Sequence, residues 1–204
     1  MVEEQLIPGG VSDPKLLAVM GRVPRHRFVE TGLEDQAYLD RPLTIGEGQT
    51  ISQPLIVGIM TQALELKGTE KVLEIGTGCG YQTAVLAELC KEVYSIERLQ
   101  DLSLRARKIL YRLGTKNVHL KIGDGSRGWP EKGPFDAIIV TAASPEFPQP
   151  LKEQLAVGGR LVIPVGSEEV QKLFLIQRNN DHFETRIVTE CRFVKLVGEY
   201  GWKG

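Results

Sequence analysis

The sequence predicts an α/β chain built on a mostly parallel, doubly wound sheet, and three observations predict it. From Lys71 onward, short β-rich runs alternate with segments of helical period, the mark of βαβ units with helices on both faces of a sheet. After Gly166 two strand-like runs follow with no helix between them, as expected of an antiparallel hairpin closing one sheet edge. Before Lys71 stand two helical segments joined by a glycine-containing loop. At 204 residues the chain is of ordinary size for one domain. We expect one: residues 1–70 as N-terminal helices and loop, 71–166 as the βα core and 167–204 as closing strands.

In chain order, "DPKLLAVMGRV" and "QPLIVGIMTQALEL" predict helices, with Asp13 and Ser52 as N-caps and a proline just inside each. Between them "RPLTIGEGQTIS", Arg41–Ser52, has no helical period and is expected to be a loop. Strands are expected at Lys71–Ile75, Glu92–Glu97, Val118–Ile122, Ala137–Val140 and Arg160–Pro164, and helices at Tyr81–Cys90, Asp101–Leu113 and Glu146–Leu155. Gly114 and Gly158-Gly159 punctuate the pattern. "KLFLIQRN" and "HFETRIVTECRFVKLVG" form the expected hairpin.

Composition narrows the function classes. The chain is 42% hydrophobic and 25% charged, ordinary for a globular protein. A formal charge of −1 gives no global attraction to nucleic acid or anionic membrane. "RVPRHRF" is locally basic, and Arg22, Arg25 and Arg27 are expected to be a solvated helix end. No apolar run approaches the roughly 20 residues that span a bilayer, and the start lacks a basic, then apolar, leader. Cys79, Cys90 and Cys191 have no zinc or disulfide spacing. We expect a cytoplasmic, monomeric protein with no metal and no nucleic-acid or membrane partner.

The stretch "VLEIGTGCGYQ" carries the first chemical signal. A glycine loop between a strand and a helix lets ligand atoms approach the backbone, and the helix start offers free N–H groups. A dinucleotide fingerprint, GxGxxG, needs its third glycine at position 81, where this chain has tyrosine. The pattern is GxGxG, which weakens an NAD reading without excluding it and resembles the first motif of Rossmann-like methyltransferases that use S-adenosylmethionine. Glu97 lies 21 residues after Gly76, at the tip of the second strand. It is either an exposed loop acid or an acceptor for both ribose hydroxyls of an adenosine cofactor. Asp124, in "IGDGSRGW", is either a turn residue or an acceptor for an adenine amino group.

Seven segments narrow the resemblance. "AYLDRPLTIGEGQTISQP", "VLEIGTGCGYQTAVLAEL", "YSIER", "GDGSRGW", "FDAIIVTAA", "GGRLVIPVG" and "LVGEYGW" run in this order. Together with the opening "VSDPKLLAVMGRVPRHRFV", they resemble the protein-L-isoaspartate O-methyltransferase family over nearly the whole chain. The resemblance implies a Rossmann-like, S-adenosylmethionine-dependent methyltransferase acting on the free α-carboxylate of L-isoaspartyl residues in damaged proteins and peptides, and leaves open whether D-aspartyl residues are also methylated. The methyl ester then collapses to a succinimide whose hydrolysis restores some aspartate.

Carried over residue by residue, the resemblance implies that Thr50, Ile51, Ser52, Glu74, Gly76, Thr77, Gly78, Gly80, Glu97, Arg98, Gly123, Asp124, Gly125 and Thr141 hold S-adenosylmethionine. Ser52 also orients the acceptor oxygen. The chemistry needs no strong base, since a carboxylate is already ionised and a sulfonium already carries its leaving group. His26, His119 and His182, which share no catalytic spacing, are expected to be surface or packing residues, and so are Tyr200 and Trp202. Cys79 stands where bacterial members commonly have serine, and its place at a helix start favours a reactive thiolate. "TAASP" lacks the Asn/Asp-Pro-Pro-aromatic run of methyltransferases that modify base amino groups. A small-molecule or RNA methyltransferase and a noncatalytic cofactor sensor are the competing readings.

Overall fold

The computed structural model describes residues 1–203. A single π-helical turn, Val2–Leu6, precedes helix α1, Pro14–Arg22. The Asp13 carboxylate accepts from the amides of Lys15 at 2.9 Å and Leu16 at 3.3 Å, the cap that the sequence predicts. The predicted loop at 41–52 is partly a small antiparallel ribbon, strand β1 at Leu43–Gly46 and β2 at Gln49–Ile51. Its strands are three or four residues long, too short for an alternating pattern to stand out in the sequence.

Helix α2 spans Pro54–Ala63, and its cap corrects an expectation. Gln53, not Ser52, is the N-cap, and no side chain of its own caps the helix. Asp40 accepts from the Leu55 amide at 2.9 Å and from Gln53 Nε2 at 3.3 Å instead. The Ser52 hydroxyl is thereby released from helix capping.

The main sheet has seven strands: β3 (Lys71–Ile75), β4 (Glu92–Glu97), β5 (Val118–Ile122), β6 (Phe135–Val140), β7 (Leu155–Gly166), β8 (Gln171–Arg178) and β9 (Phe183–Cys191). Their order is β5-β4-β3-β6-β7-β8-β9, parallel from β5 to β7 and antiparallel for the last two pairs. Helices α3 (Tyr81–Ala87), α4 (Gln100–Arg112) and α5 (Gln149–Glu153) connect the parallel strands. Helix α5 is shorter than the expected Glu146–Leu155. Pro145 and Pro148 remove amide donors and disfavour a helical conformation in the residues before them, so the helix begins only at Gln149, and Leu155 already opens β7.

At its centre both faces of the sheet are buried, which is why the central strands are nearly continuous apolar runs, whereas the edge strands β5 and β9 are half-buried or exposed. Adjacent residues go to opposite sides: Val72 and Ile139 pack with Met60, Leu64 and Leu86, whereas Leu73 and Ile138 pack with Phe135, Leu151 and Leu161. A third cluster joins α1 to Tyr81 and Val85 of α3 and to Leu102 and Leu110 of α4. The chain winds outward from β3 to β5 and then returns to place β6 on the other side of β3. That reversal makes a crevice at the carboxyl ends of β3 and β6, between Gly76 and Thr141.

Gly80 caps α3 at φ +91°, and a Cβ there would stand 3.2 Å from Ala106 Cβ of α4. Gly80→Ala is expected to cost about 1–3 kcal/mol from left-handed strain and tight contact, read as a lower midpoint in urea unfolding; an unchanged midpoint contradicts this account.

Candidate active site

The crevice is lined by segments from six places in the chain. Gly76, Thr77, Gly78 and Cys79 follow β3, Glu97 and Arg98 follow β4, Gly125 follows β5, and Thr141 follows β6. Thr50, Ile51 and Ser52 close it from the ribbon, and Val194 to Val197 from the C-terminal side.

The glycine loop is held from three sides. Thr141 Oγ1 donates to the Gly76 carbonyl at 2.7 Å, and the Gly76 amide donates to the Ile96 carbonyl at 2.8 Å. Gly76 has φ +94°, and a Cβ there would fall 2.4 Å from Thr141 Oγ1, so only glycine fits. The Glu97 carboxylate accepts from the Gly78 amide at 2.9 Å and from the Leu99 amide at 3.0 Å. Glu97 is buried at 6% exposure, which removes the exposed-acid reading. Each of its oxygens keeps a second acceptor direction and lies in the cleft wall, as holding a ribose diol requires.

Beneath the loop lies a buried hydroxyl network. Thr83 Oγ1 and Ser95 Oγ both donate to Glu74 Oε2 at 2.6 Å. Ser95 Oγ and Thr77 Oγ1 stand 2.6 Å apart and extend the network to the glycine loop. Burial pushes the Glu74 carboxyl up to about 8, against the two hydroxyl bonds that favour its charge. Glu74 is therefore neutral over much of the physiological range and acts on the loop through Ser95 and Thr77. It is fully buried and is not part of the cleft wall.

Asp124 accepts from the Ser126 amide at 2.9 Å, from Ser126 Oγ at 2.7 Å and from the Glu199 amide at 2.8 Å. Burial works against its charge, but these bonds and Arg127 outweigh burial and hold its carboxyl below the usual range. The arrangement is a turn cap that also pins the C-terminal segment over the cleft. Trp202 reinforces it, donating Nε1–H to the Ala143 carbonyl at 3.1 Å.

A second cavity adjoins the first. Thr50, Ser52, Thr141 and Val194 line both, and Gln53, Arg192 and Phe193 line the second alone. Among the described residues the Ser52 hydroxyl has no hydrogen-bond partner within the protein.

A family model described as protein-L-isoaspartate(D-aspartate) O-methyltransferase matches residues 1–201. The chain belongs to the protein-L-isoaspartate O-methyltransferase family. Relatives of that name from Syntrophus aciditrophicus and Geobacter metallireducens are 56% and 59% identical, over 100% and 99% of this chain and 95% and 94% of their own. A solved protein-L-isoaspartate O-methyltransferase superposes with a TM-score of 0.87 at 30% identity, covering 98% of this chain and 67% of its own. A second, from Plasmodium falciparum and in complex with S-adenosyl-L-homocysteine, gives 0.83 at 25% identity, covering 96% of each chain.

Within this isoaspartate methyltransferase family member, ten of the fourteen residues expected to hold the cofactor line the cleft: Thr50, Ile51, Ser52, Gly76, Thr77, Gly78, Glu97, Arg98, Gly125 and Thr141. Glu74, Gly80, Gly123 and Asp124 do not: Glu74 lies buried beneath the glycine loop, Gly80 lies against Ala106 of α4, and Gly123 and Asp124 stand in the half-exposed turn after β5. The segment Val194–Val197 was not among the expected site residues. Its carbonyl at Val194 accepts from the Ala143 amide at 2.7 Å, and the Leu196 amide donates to the Ala143 carbonyl at 2.8 Å, a long-range pairing that no local pattern announces.

Two expectations are corrected. Cys79 is not an activated thiol, because burial pushes it up to about 11 despite the nearby Arg25 charge. Arg25 is not solvated, being fully buried. The histidines pack at the surface: His26 meets the Tyr38 hydroxyl at 2.7 Å, His119 stacks on Tyr94 at 4.6 Å, and His182 pairs with Glu184 at 3.2 Å.

The raised Glu74 makes stability depend on pH. The folded protein holds this proton while the unfolded chain releases it near 4.5, so the contribution is present below that value and is lost as pH rises through about 8. Glu74→Gln is expected to flatten the decline of Tm between these limits and to gain most over wild type at the alkaline end. Parallel Tm profiles for the two proteins would contradict a neutral Glu74.

Proposed function

We propose that the chain transfers the methyl group of S-adenosylmethionine to the free α-carboxylate of L-isoaspartyl residues in damaged proteins, and that D-aspartyl sites are a second substrate. The observation that carries this reading is that two cavities meet at Thr50, Ser52 and Thr141, one walled by a glycine loop with a buried carboxylate, the other lined by Gln53, Arg192 and Phe193.

The residues present fit an adenosine cofactor. Gly76, Gly78 and Gly125 bring bare backbone to the cleft wall, where a Cβ on Gly76 or Gly125 would strike Thr141 or Ile75, and Glu97 offers free acceptor directions to a ribose. Arg98, Thr77 and Ile51 complete that wall. When bound, the cofactor supplies an electrophilic methyl on a sulfonium, a group that needs no acid to leave. The chain's task is to position and to exclude water. Ser52, freed from capping by Asp40, directs its hydroxyl at the acceptor carboxylate and orients one oxygen. The Val194–Val197 segment and the ribbon cover the crevice from opposite sides. No protein group has to take a proton, because the attacking oxygen is already anionic. N-terminal segment, core and closing strands act as one unit, since each supplies a wall.

The peptide partner enters the second cavity, where Arg192 and Phe193 offer a cation and an aromatic face. We take the working species to be a monomer without nucleic acid, which light scattering and a salt-dependent RNA-binding assay would check. Among the described residues no helix is long and apolar enough to cross a membrane.

The deciding experiment uses labelled S-adenosylmethionine and one peptide made with isoaspartyl, D-aspartyl and ordinary aspartyl residues, reading label released as methanol in mild base. Label on the isoaspartyl form and none on the ordinary one is the expected result; no label on any form overturns the proposal. In the same assay Glu97→Ala is expected to weaken S-adenosylhomocysteine binding about tenfold or more, the loss of charge-assisted bonds, with turnover at saturation largely kept. Ser52→Ala is expected to lower kcat with cofactor binding kept. Equal losses in both parameters for both variants would contradict these roles.

A further inference from the structure

Arg25 stands where a charge is least expected. It opens a short 3-10 turn, Arg25–Phe28, and is 0% exposed. Its Nε donates to the Ala37 carbonyl at 2.6 Å and its Nη2 to the Ser52 carbonyl at 2.6 Å. Its guanidinium carbon lies 4.7 Å from the centre of the Tyr81 ring. None of the ion pairs among the described residues includes it, and both its Nη1 and the Tyr81 hydroxyl lack a hydrogen-bond partner there. Burial opposes its charge, whereas Tyr81, Cys79 and Asp40 favour it.

A buried guanidinium without a carboxylate is a costly way to fill space, since an apolar side chain of similar volume would fill it without desolvation. What an apolar side chain could not do is join the groups that Arg25 joins. Ser52 ends the ribbon on the acceptor side of the cleft. Tyr81 is the first residue of α3, directly after the glycine loop on the cofactor side. The planar fork reaches the first through Nη2 while its face lies on the second, and Nε anchors the whole to Ala37. A lysine ammonium is a point donor and cannot hold all three.

We propose that Arg25 is a positioning residue for methyl transfer, clamping the Ser52 main chain against Tyr81 so that the Ser52 hydroxyl keeps a fixed place relative to the glycine loop. The proposal rests on the reading of Ser52 given under Proposed function. Arg25 does not line the cleft and touches neither reactant. Its effect passes through Ser52 alone, and for that reason should vanish when the Ser52 hydroxyl is gone.

The test is a double-mutant cycle of Arg25→Met and Ser52→Ala, with kcat and KM for the isoaspartyl peptide and S-adenosylhomocysteine affinity measured for each protein. Arg25→Met is expected to lower kcat about 10- to 100-fold, the scale of a small misplacement of a reacting group, while cofactor affinity changes less than about threefold. The double variant is expected to be no more than about threefold slower than the slower single one. Arg25→Lys, which keeps the charge and one donor, is expected to recover part of the loss, and it replaces Arg25→Met in the cycle if that variant does not fold. Multiplicative losses in the double variant, loss of cofactor affinity in step with kcat, or unchanged turnover in an Arg25 or Ser52 variant would overturn the role of Arg25 while the functional reading stands. A wild-type protein inactive on the isoaspartyl peptide would overturn that reading, and this role with it.

Discussion

The hydrogen bond from the Gly78 amide to the Glu97 carboxylate, 2.9 Å long, is the contact on which the site's geometry depends. It ties the loop after β3 to the tip of β4, so that the two strand ends present one surface and not two independent loops. Everything else at the crevice is arranged around that tie. Thr141 holds the loop from β6, the Glu74 network holds it from below, and Gly80 lets α4 press against its far end. A glycine-rich segment is otherwise entropically reluctant to take one shape. Here the shape is imposed by acceptors and donors placed on rigid strands, which is how a site keeps its geometry without a bound ligand to enforce it.

The same economy governs the acceptor side. Asp40 takes over the capping of α2, Arg25 takes the Ser52 carbonyl, and the hydroxyl of Ser52 is left with no duty inside the protein. A serine before Gln-Pro at a helix start would ordinarily be absorbed by its own helix. The neighbours that relieve it are 12 and 27 positions away in the chain, which makes the free hydroxyl a property of the tertiary fold.

That distance explains what the sequence did and did not disclose. Strands β3, β4 and β5 are legible to the residue: β3 and β4 as buried, mostly apolar runs, and the edge strand β5 through Val118, Leu120 and Ile122 alternating with polar residues. The cleft wall after those strands is legible for a related reason: glycine where backbone must approach a ligand and an acid at a strand tip are local statements. The β1–β2 ribbon was not, being too short to show alternation. Helix α5 was overextended because an apolar period persists through prolines that forbid its first turns. Arg25 lies in a basic run whose neighbours Arg22 and Arg27 are exposed, and nothing in "RVPRHRF" tells which of them turns inward. Glu74 is the instructive intermediate. The motif marks it as part of the cofactor site, but its carboxyl serves that site from behind, through two hydroxyls.

On the proposed reading, cofactor and acceptor occupy adjoining cavities that meet at Ser52. Amide hydrogen exchange, first with S-adenosylhomocysteine and then with an isoaspartyl peptide added, tests it most directly. The first addition should slow exchange in residues 76–82 and 97–99, and the second should add protection at 50–53 and 190–194. Peptide-induced protection elsewhere, or a glycine loop indifferent to S-adenosylhomocysteine, would contradict the claim.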